Sequence, residues 1–172
     1  MMSNSHLKKT KSVYRWMIRQ LPEFTIEDLK GKKLMAHMFA DPLYRSWGVK
    51  LPYSSVNAKL SEDPKSEVTQ DHIFSAQTVV LFLLSHPELW KDDFNKFLEY
   101  VTWGGSTMKV TKKENALLKD LTGKVPTLKK YAKLNITLVC EEGKGKVKGF
   151  PIKDMPHGWD EWELGLIKAD GI

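Results

Sequence analysis

An α+β fold, mainly α-helical, is predicted by three observations. Apolar residues recur at helical spacing through much of the chain, and short alternating or β-branched segments appear late in it. Between them the stretch Ile73–Leu84 carries no charge at all, so a helix there is apolar on every side and must be surrounded by protein. The expected architecture is a helical core with a C-terminal helix-turn-helix-like pair and a β-hairpin. It divides as residues 1–106 and 107–172 within one continuous domain, a size one hydrophobic core can serve.

Taken in order, Met1–Thr10 is polar and expected to fray. Val13, Trp16, Met17 and Leu21 then mark one face of a helix over Ser12–Leu21 that Pro22 stops. Thr25-Ile26-Glu27-Asp28 looks like a capped start for a helix running through Leu29, Leu34 and Met38 and ending before Pro42. Four prolines or glycines (Pro42, Gly48, Pro52 and Pro64) predict a long ordered loop over Asp41–Pro64, with a short helix after Ser54-Ser55. Val68-Thr69 reads as a short strand, Ser75 as the cap of the apolar helix to Ser85, and Pro87 as the restart of a helix that Gly104-Gly105 ends.

The last third changes character. Met108-Lys109-Val110 reads as a strand, and Thr111-Lys112-Lys113-Glu114 has the Thr-x-x-Glu form of a capping box. Gly123 marks the end of that helix and Pro126 the start of the next, whose face is Leu128, Tyr131 and Leu134. Ile136–Cys140 reads as a strand, and Lys146–Phe150 as its return strand after the turn at Gly143. Cys140 is the single cysteine, which excludes an internal disulfide and any multi-cysteine zinc site. No apolar run is long enough to cross a bilayer, so no membrane role is expected. The lysine-bearing N-terminal stretch has no apolar signal core, and the expected location is the cytoplasm, that of a host cell if the chain is viral.

The net charge of +6 is regional. From Thr107 to Lys153 there are twelve lysines against four acids and no arginine. Phosphate grip is therefore expected from Lys109, Lys112, Lys113, Lys124, Lys129, Lys130, Lys133, Lys144, Lys146 and Lys148. Lysine acts on phosphate as a point charge, while two-pronged reading of guanine favours arginine, so binding should be salt-sensitive and weakly selective. The plainer reading of the same residues is a solvated face.

Asp71-His72 is the most chemically loaded dipeptide. A carboxylate binds a hard divalent ion, and an imidazole near its ordinary pKa can take a proton from water. The plainer alternative is that Asp71 caps the following helix and His72 makes a hydrogen bond near its N-terminus. This dipeptide resembles the opening Asp-His of the HNH, or His-Me finger, nucleases. Val110-Thr111-Lys112-Lys113-Glu114-Asn115 and Leu118, with the closing Ala169-Asp170-Gly171-Ile172, resemble segments of small phage-encoded HNH-like proteins. The resemblance covers roughly residues 67–172. It implies a Mg²⁺-dependent endonuclease in which His72 is catalytic and activates water, Asp71 holds the metal, and Asn115 or Glu114 completes the site. The family sets a β-hairpin between its His and its metal-binding helix. Here an apolar helix follows His72, and Asn115 lies 43 positions on.

The leading expectation is thus a small nucleic-acid-acting protein, phage-derived on the resemblance, that binds DNA through its lysine-rich third, with metal-dependent endonuclease activity as its catalytic version. One alternative is a non-catalytic, winged-helix-like DNA-binding or regulatory protein. Another is an interaction factor for a host enzyme, with Trp47, Tyr53, Trp159 and Trp162 as interface anchors.

Overall fold

The computed structural model describes residues 4–21, 36–40 and 50–141, together with Trp159, Trp162, Glu163, Gly165 and Ile167. In chain order the elements are α1 (Asn4–Gln20), β1 (Lys50–Ser55), α2 (Val56–Lys59), α3 (Pro64–Glu67) and β2 (Val68–His72). They continue with α4 (Ala76–Ser85), a 3-10 turn at Pro87–Leu89, α5 (Phe94–Gly104), β3 (Thr107–Thr111), α6 (Lys112–Asp120), α7 (Thr127–Lys133) and β4 (Leu138–Cys140). Residues 36–40 are also helical. The fold is α+β and mainly helical, as the patterning predicts, with one four-stranded sheet.

The chain divides into two compact units. One is Met1–Val49 with Phe74–Ser106, and the other is Lys50–Ile73 with Thr107–Ile172. One break between them falls after Ser106, and the unit that contains Thr107–Ile172 also takes in Lys50–Ile73.

In the first unit α1 begins at Asn4, well before the expected start. Thr10, on the same face as Met17, is buried and ties this polar segment down. Every residue of α4 from Val79 to Leu84 is buried, as its uncharged sequence requires, and Ser75 caps it by accepting from the Thr78 amide. The helix expected to restart at Pro87 is instead a 3-10 turn, and α5 begins only at Phe94 under an Asp93 cap. Trp90 links the two segments, its indole N–H donating to the Leu83 carbonyl at 2.7 Å. Tyr14 of α1 lies edge-on to Trp90 and Phe94, with ring centroids 6.0 and 5.3 Å away, and its hydroxyl donates to the Lys91 carbonyl.

The second unit holds the sheet, in strand order β2-β3-β1-β4. β2 pairs antiparallel with β3, β3 parallel with β1, and β1 antiparallel with β4. β1 occupies part of the expected loop. Its sequence Lys50-Leu51-Pro52-Tyr53-Ser54-Ser55 hides the strand, because proline offers no N–H to an interior ladder. The register supplies the answer: Lys50 pairs with Thr107 but Ser54 with Lys109, so the pairing slips around Pro52. Pro52 still uses its carbonyl, which accepts from the Glu141 amide at 2.8 Å. The short helix after Ser55 forms as expected, with the Ser55 hydroxyl as its cap. The strand read at Ile136–Cys140 shortens to β4 and pairs with β1, while the return strand read at Lys146–Phe150 lies outside the described residues.

α7 closes with Asn135 in the left-handed region at φ 54°. The Ile136 amide reaches back to Tyr131 and the Asn135 amide to Ala132, which satisfies the carbonyls at the helix end.

Candidate functional site

Asp71-His72 ends a strand and does not lead a helix, so the expectation that Asp71 caps α4 is replaced; Ser75 does that. Neighbours on a strand point to opposite faces. Asp71 lies opposite Met108 and His72 opposite Thr107, so the two side chains leave β2 on different sides and cannot chelate one ion together. Their roles must divide.

Asp71 is 5% exposed, and the Tyr131 hydroxyl of α7 donates to its Oδ2. Burial raises its pKa above the ordinary aspartate value, opposed by the Tyr131 bond and the charges of Lys130 and Lys119. Lys130 is itself 3% exposed, its ammonium donating to the Ile73 carbonyl at 3.4 Å. Burial lowers its pKa, against the pull of Asp71 and Glu163. Lys130 therefore does not belong with the phosphate-gripping lysines. Its position on α7 turns it inward, beside the same carboxylate that Tyr131 holds.

The other end of α7 is capped across the sequence. Pro126 provides no side-chain bond there. Glu163 supplies it, one oxygen accepting from the Thr127 amide at 2.9 Å and the other from the Thr127 hydroxyl at 2.7 Å. The buried Trp159 indole donates to the same carboxylate at 3.1 Å.

α6 follows β3 without a break, opened by the predicted capping box of Thr111 and Glu114. Glu114 is fully committed. It accepts from the Thr111 amide, the Thr111 hydroxyl, Ser55 at 2.6 Å and Asn57 at 2.9 Å. It cannot complete a metal site. Asn115 remains: its Oδ1 is buried and has no hydrogen-bond partner. α6 packs on both β2 and β3, and Lys119, one turn beyond Asn115, is close enough to act on the Asp71 charge. α6 thus packs against the two strands that carry Asp71 and its register partner Met108.

His72 is half-buried, and desolvation lowers its pKa below the ordinary histidine value, which keeps it neutral at pH 7. Among the described residues no three His, Cys, Asp or Glu side chains gather closely enough to hold a metal. The candidate donors are the Asp71 carboxylate and the buried Asn115 amide oxygen. That set suits Mg²⁺, which keeps several waters and takes one or two carboxylates plus substrate phosphate.

Lys109, Lys112, Lys113, Lys124, Lys129 and Lys133 are exposed, as phosphate contact requires. Lys144, Lys146 and Lys148 lie outside the described residues. Sequence reasoning missed Tyr131, Lys130 and Glu163 as partners in this unit. Tyr131 was legible only as part of the apolar face of α7, although a buried tyrosine hydroxyl needs an acceptor.

No family model, curated protein or solved structure matches this chain. No helix among the described residues is long and apolar enough to cross a membrane.

Proposed function

We propose that this protein acts on nucleic acid as a Mg²⁺-assisted phosphodiesterase centred on β2, β3 and α6. The observation that carries the reading is the order of those elements. The strand ending in Asp71-His72 pairs with β3, and β3 runs directly into the helix that bears Asn115. On this reading β3 and α6 stand for the strand partner and helix of the HNH resemblance, with Ile73–Ser106 between β2 and β3 in the sequence. The buried, unpartnered Oδ1 of Asn115 supports the same reading, since such an atom is expensive unless something binds it.

Asp71 and Asn115 would hold the ion. Held there, Mg²⁺ would lie across β2 from His72, so it would supply charge balance beside Asp71 and not a ligand to the phosphodiester that His72 serves. His72 enters neutral and takes the proton of the attacking water, whose oxygen bonds to phosphorus as one P–O ester bond breaks. The departing oxygen takes its proton from solvent. The exposed lysines, Lys112 and Lys113 at the start of α6 and Lys129 and Lys133 on α7, grip the flanking phosphates.

The test is cleavage of labelled duplex DNA, single-stranded DNA and RNA with and without Mg²⁺, read on a denaturing gel. His72→Ala should abolish cleavage and leave binding intact. A variant that still cuts removes the assignment.

One observation favours a second reading, a binding protein without chemistry. Asp71 already has Tyr131 on one oxygen and Lys130 close by, an arrangement that is complete without a metal. Salt-sensitive binding with no Mg²⁺-dependent product would select it.

A further inference from the structure

The first unit carries a charged face that the proposed chemistry does not use. Helix α1 has five cations, Lys8, Lys9, Lys11, Arg15 and Arg19, and no acidic residue. The rest of residues 1–106 holds nine cations against twelve acids, so this concentration of charge is local to the helix. Steps of three, four and four residues put Lys8, Lys11, Arg15 and Arg19 in one stripe along it. At 1.5 Å per residue the stripe is about 16 Å long, with a cation at roughly every 5 Å.

The stripe faces outward because the other side of α1 is docked. Thr10 and Met17 are buried, and Tyr14 meets Trp90, Phe94 and Phe97 of the same unit. All five cations are exposed, and among the described residues no carboxylate pairs with any of them. Ser12, within the stripe, donates its hydroxyl to the Lys8 carbonyl. Lys11 also lies 5.3 Å from the centre of the Phe94 ring. Trp16 borders the stripe, with Ser12 and Arg19 one turn away on either side. The sequence pattern groups Trp16 with the apolar face, yet it is 37% exposed. Its ring is held edge-on to the buried Phe39, with centroids 4.3 Å apart. A positioned, accessible aromatic beside a row of unpaired cations suits an unpaired strand of nucleic acid, since the cations track phosphates while the ring stacks on a base.

We propose that this face of α1 is a binding surface for single-stranded nucleic acid, with Lys8, Lys11, Arg15 and Arg19 on its phosphates and Trp16 stacked on a base. The two arginines add two-pronged phosphate contacts that the lysine-rich third, which has no arginine from Thr107 to Lys153, lacks. An anionic membrane is a poorer fit. An interfacial helix buries its apolar side in lipid, and that side of α1 is already taken up by Phe94 and Phe97 of α5. The proposal rests on the nucleic-acid reading above and adds to it a contact surface outside the lysine-rich third, with a preference for unpaired strands.

The experiment is fluorescence anisotropy of labelled single-stranded DNA and RNA, with a duplex of the same sequence and vesicles of phosphatidylserine and phosphatidylcholine beside them. It uses full-length His72→Ala protein in EDTA at two salt concentrations, so that binding is read without cleavage. Arg15→Gln with Arg19→Gln should weaken single-strand binding about tenfold. The same pair should lower the salt slope by about 1.4, since each phosphate contact to a single strand contributes about 0.7. Trp16→Leu should also weaken binding about tenfold but leave the salt slope unchanged, because stacking releases no counterions, and Trp16→Phe should keep most of the affinity. Variants at Arg15, Arg19 and Trp16 that bind a single strand as the parent does would overturn the α1 surface. A loss with Lys112→Gln and Lys113→Gln in that case would show that the nucleic-acid reading stands without it. Equal losses on duplex and single strand would overturn the preference for unpaired strands. A parent that binds no nucleic acid at low salt would bring down both readings, whether or not it binds the vesicles.

Discussion

Tyr131→Phe probes the Asp71 cluster with the least disturbance, since it removes one hydroxyl and leaves the ring in place. In the folded protein that hydroxyl donates to a carboxylate that is 5% exposed. A hydrogen bond to a charged group is worth about 1.5–3 kcal/mol, and one between neutral groups about 0.5–1.5 kcal/mol. The cost of the substitution therefore depends on the charge of Asp71. Its folded pKa is raised by burial, so the folded state holds the proton more tightly than the unfolded chain does. The stability associated with that proton is fully present below the ordinary aspartate pKa and is lost as pH rises through the folded value. The Tyr131 bond opposes the rise, so removing it pushes the folded pKa higher still and deepens the loss above it. Urea denaturation of parent and variant should give a destabilisation of about 2 kcal/mol at pH 7, falling to about 1 kcal/mol at pH 4. An Asp71→Asn background should reduce the pH 7 effect to the acid value. Equal losses at both pH values, or full additivity with Asp71→Asn, would refute the placement of a charge-assisted bond there.

Two further substitutions test packing and capping. At Gly104 an added Cβ would come within 2.6 Å of Val79 Cγ1 and 2.7 Å of Cγ2, and a β-branched side chain in a buried helix has little room to yield. Gly104→Ala should cost about 1–3 kcal/mol in thermal or urea unfolding, and a neutral result would show that α4 and α5 are more loosely packed. Glu163→Ala should cost about 1–2 kcal/mol by uncapping α7, with a shift in tryptophan emission as Trp159 loses its acceptor. Unchanged emission and stability would show that the cap is not formed in solution.

Much of the fold was legible because it is written in local rules. The Thr111–Glu114 capping box, the Ser75 cap, the uncharged burial of α4 and the short helix after Ser55 each depend on residues within a few positions of one another. The exposed lysines follow from composition, and Asp71, His72 and Asn115 could be singled out by residue type. Tertiary structure decided the rest. It found β1 in a proline-bearing segment by letting the register slip around Pro52. It joined β2 to β3 across Ile73–Ser106, which set Asn115 on the helix that follows the second strand. It spent Glu114 on a cap, turned Lys130 from the expected phosphate contacts inward toward Asp71, and brought Glu163 back over 36 positions to the start of α7. Periodicity reports which side of an element is apolar. It does not report which distant donor a buried carboxylate will meet, because that depends on strand pairing and helix packing between segments far apart in the chain.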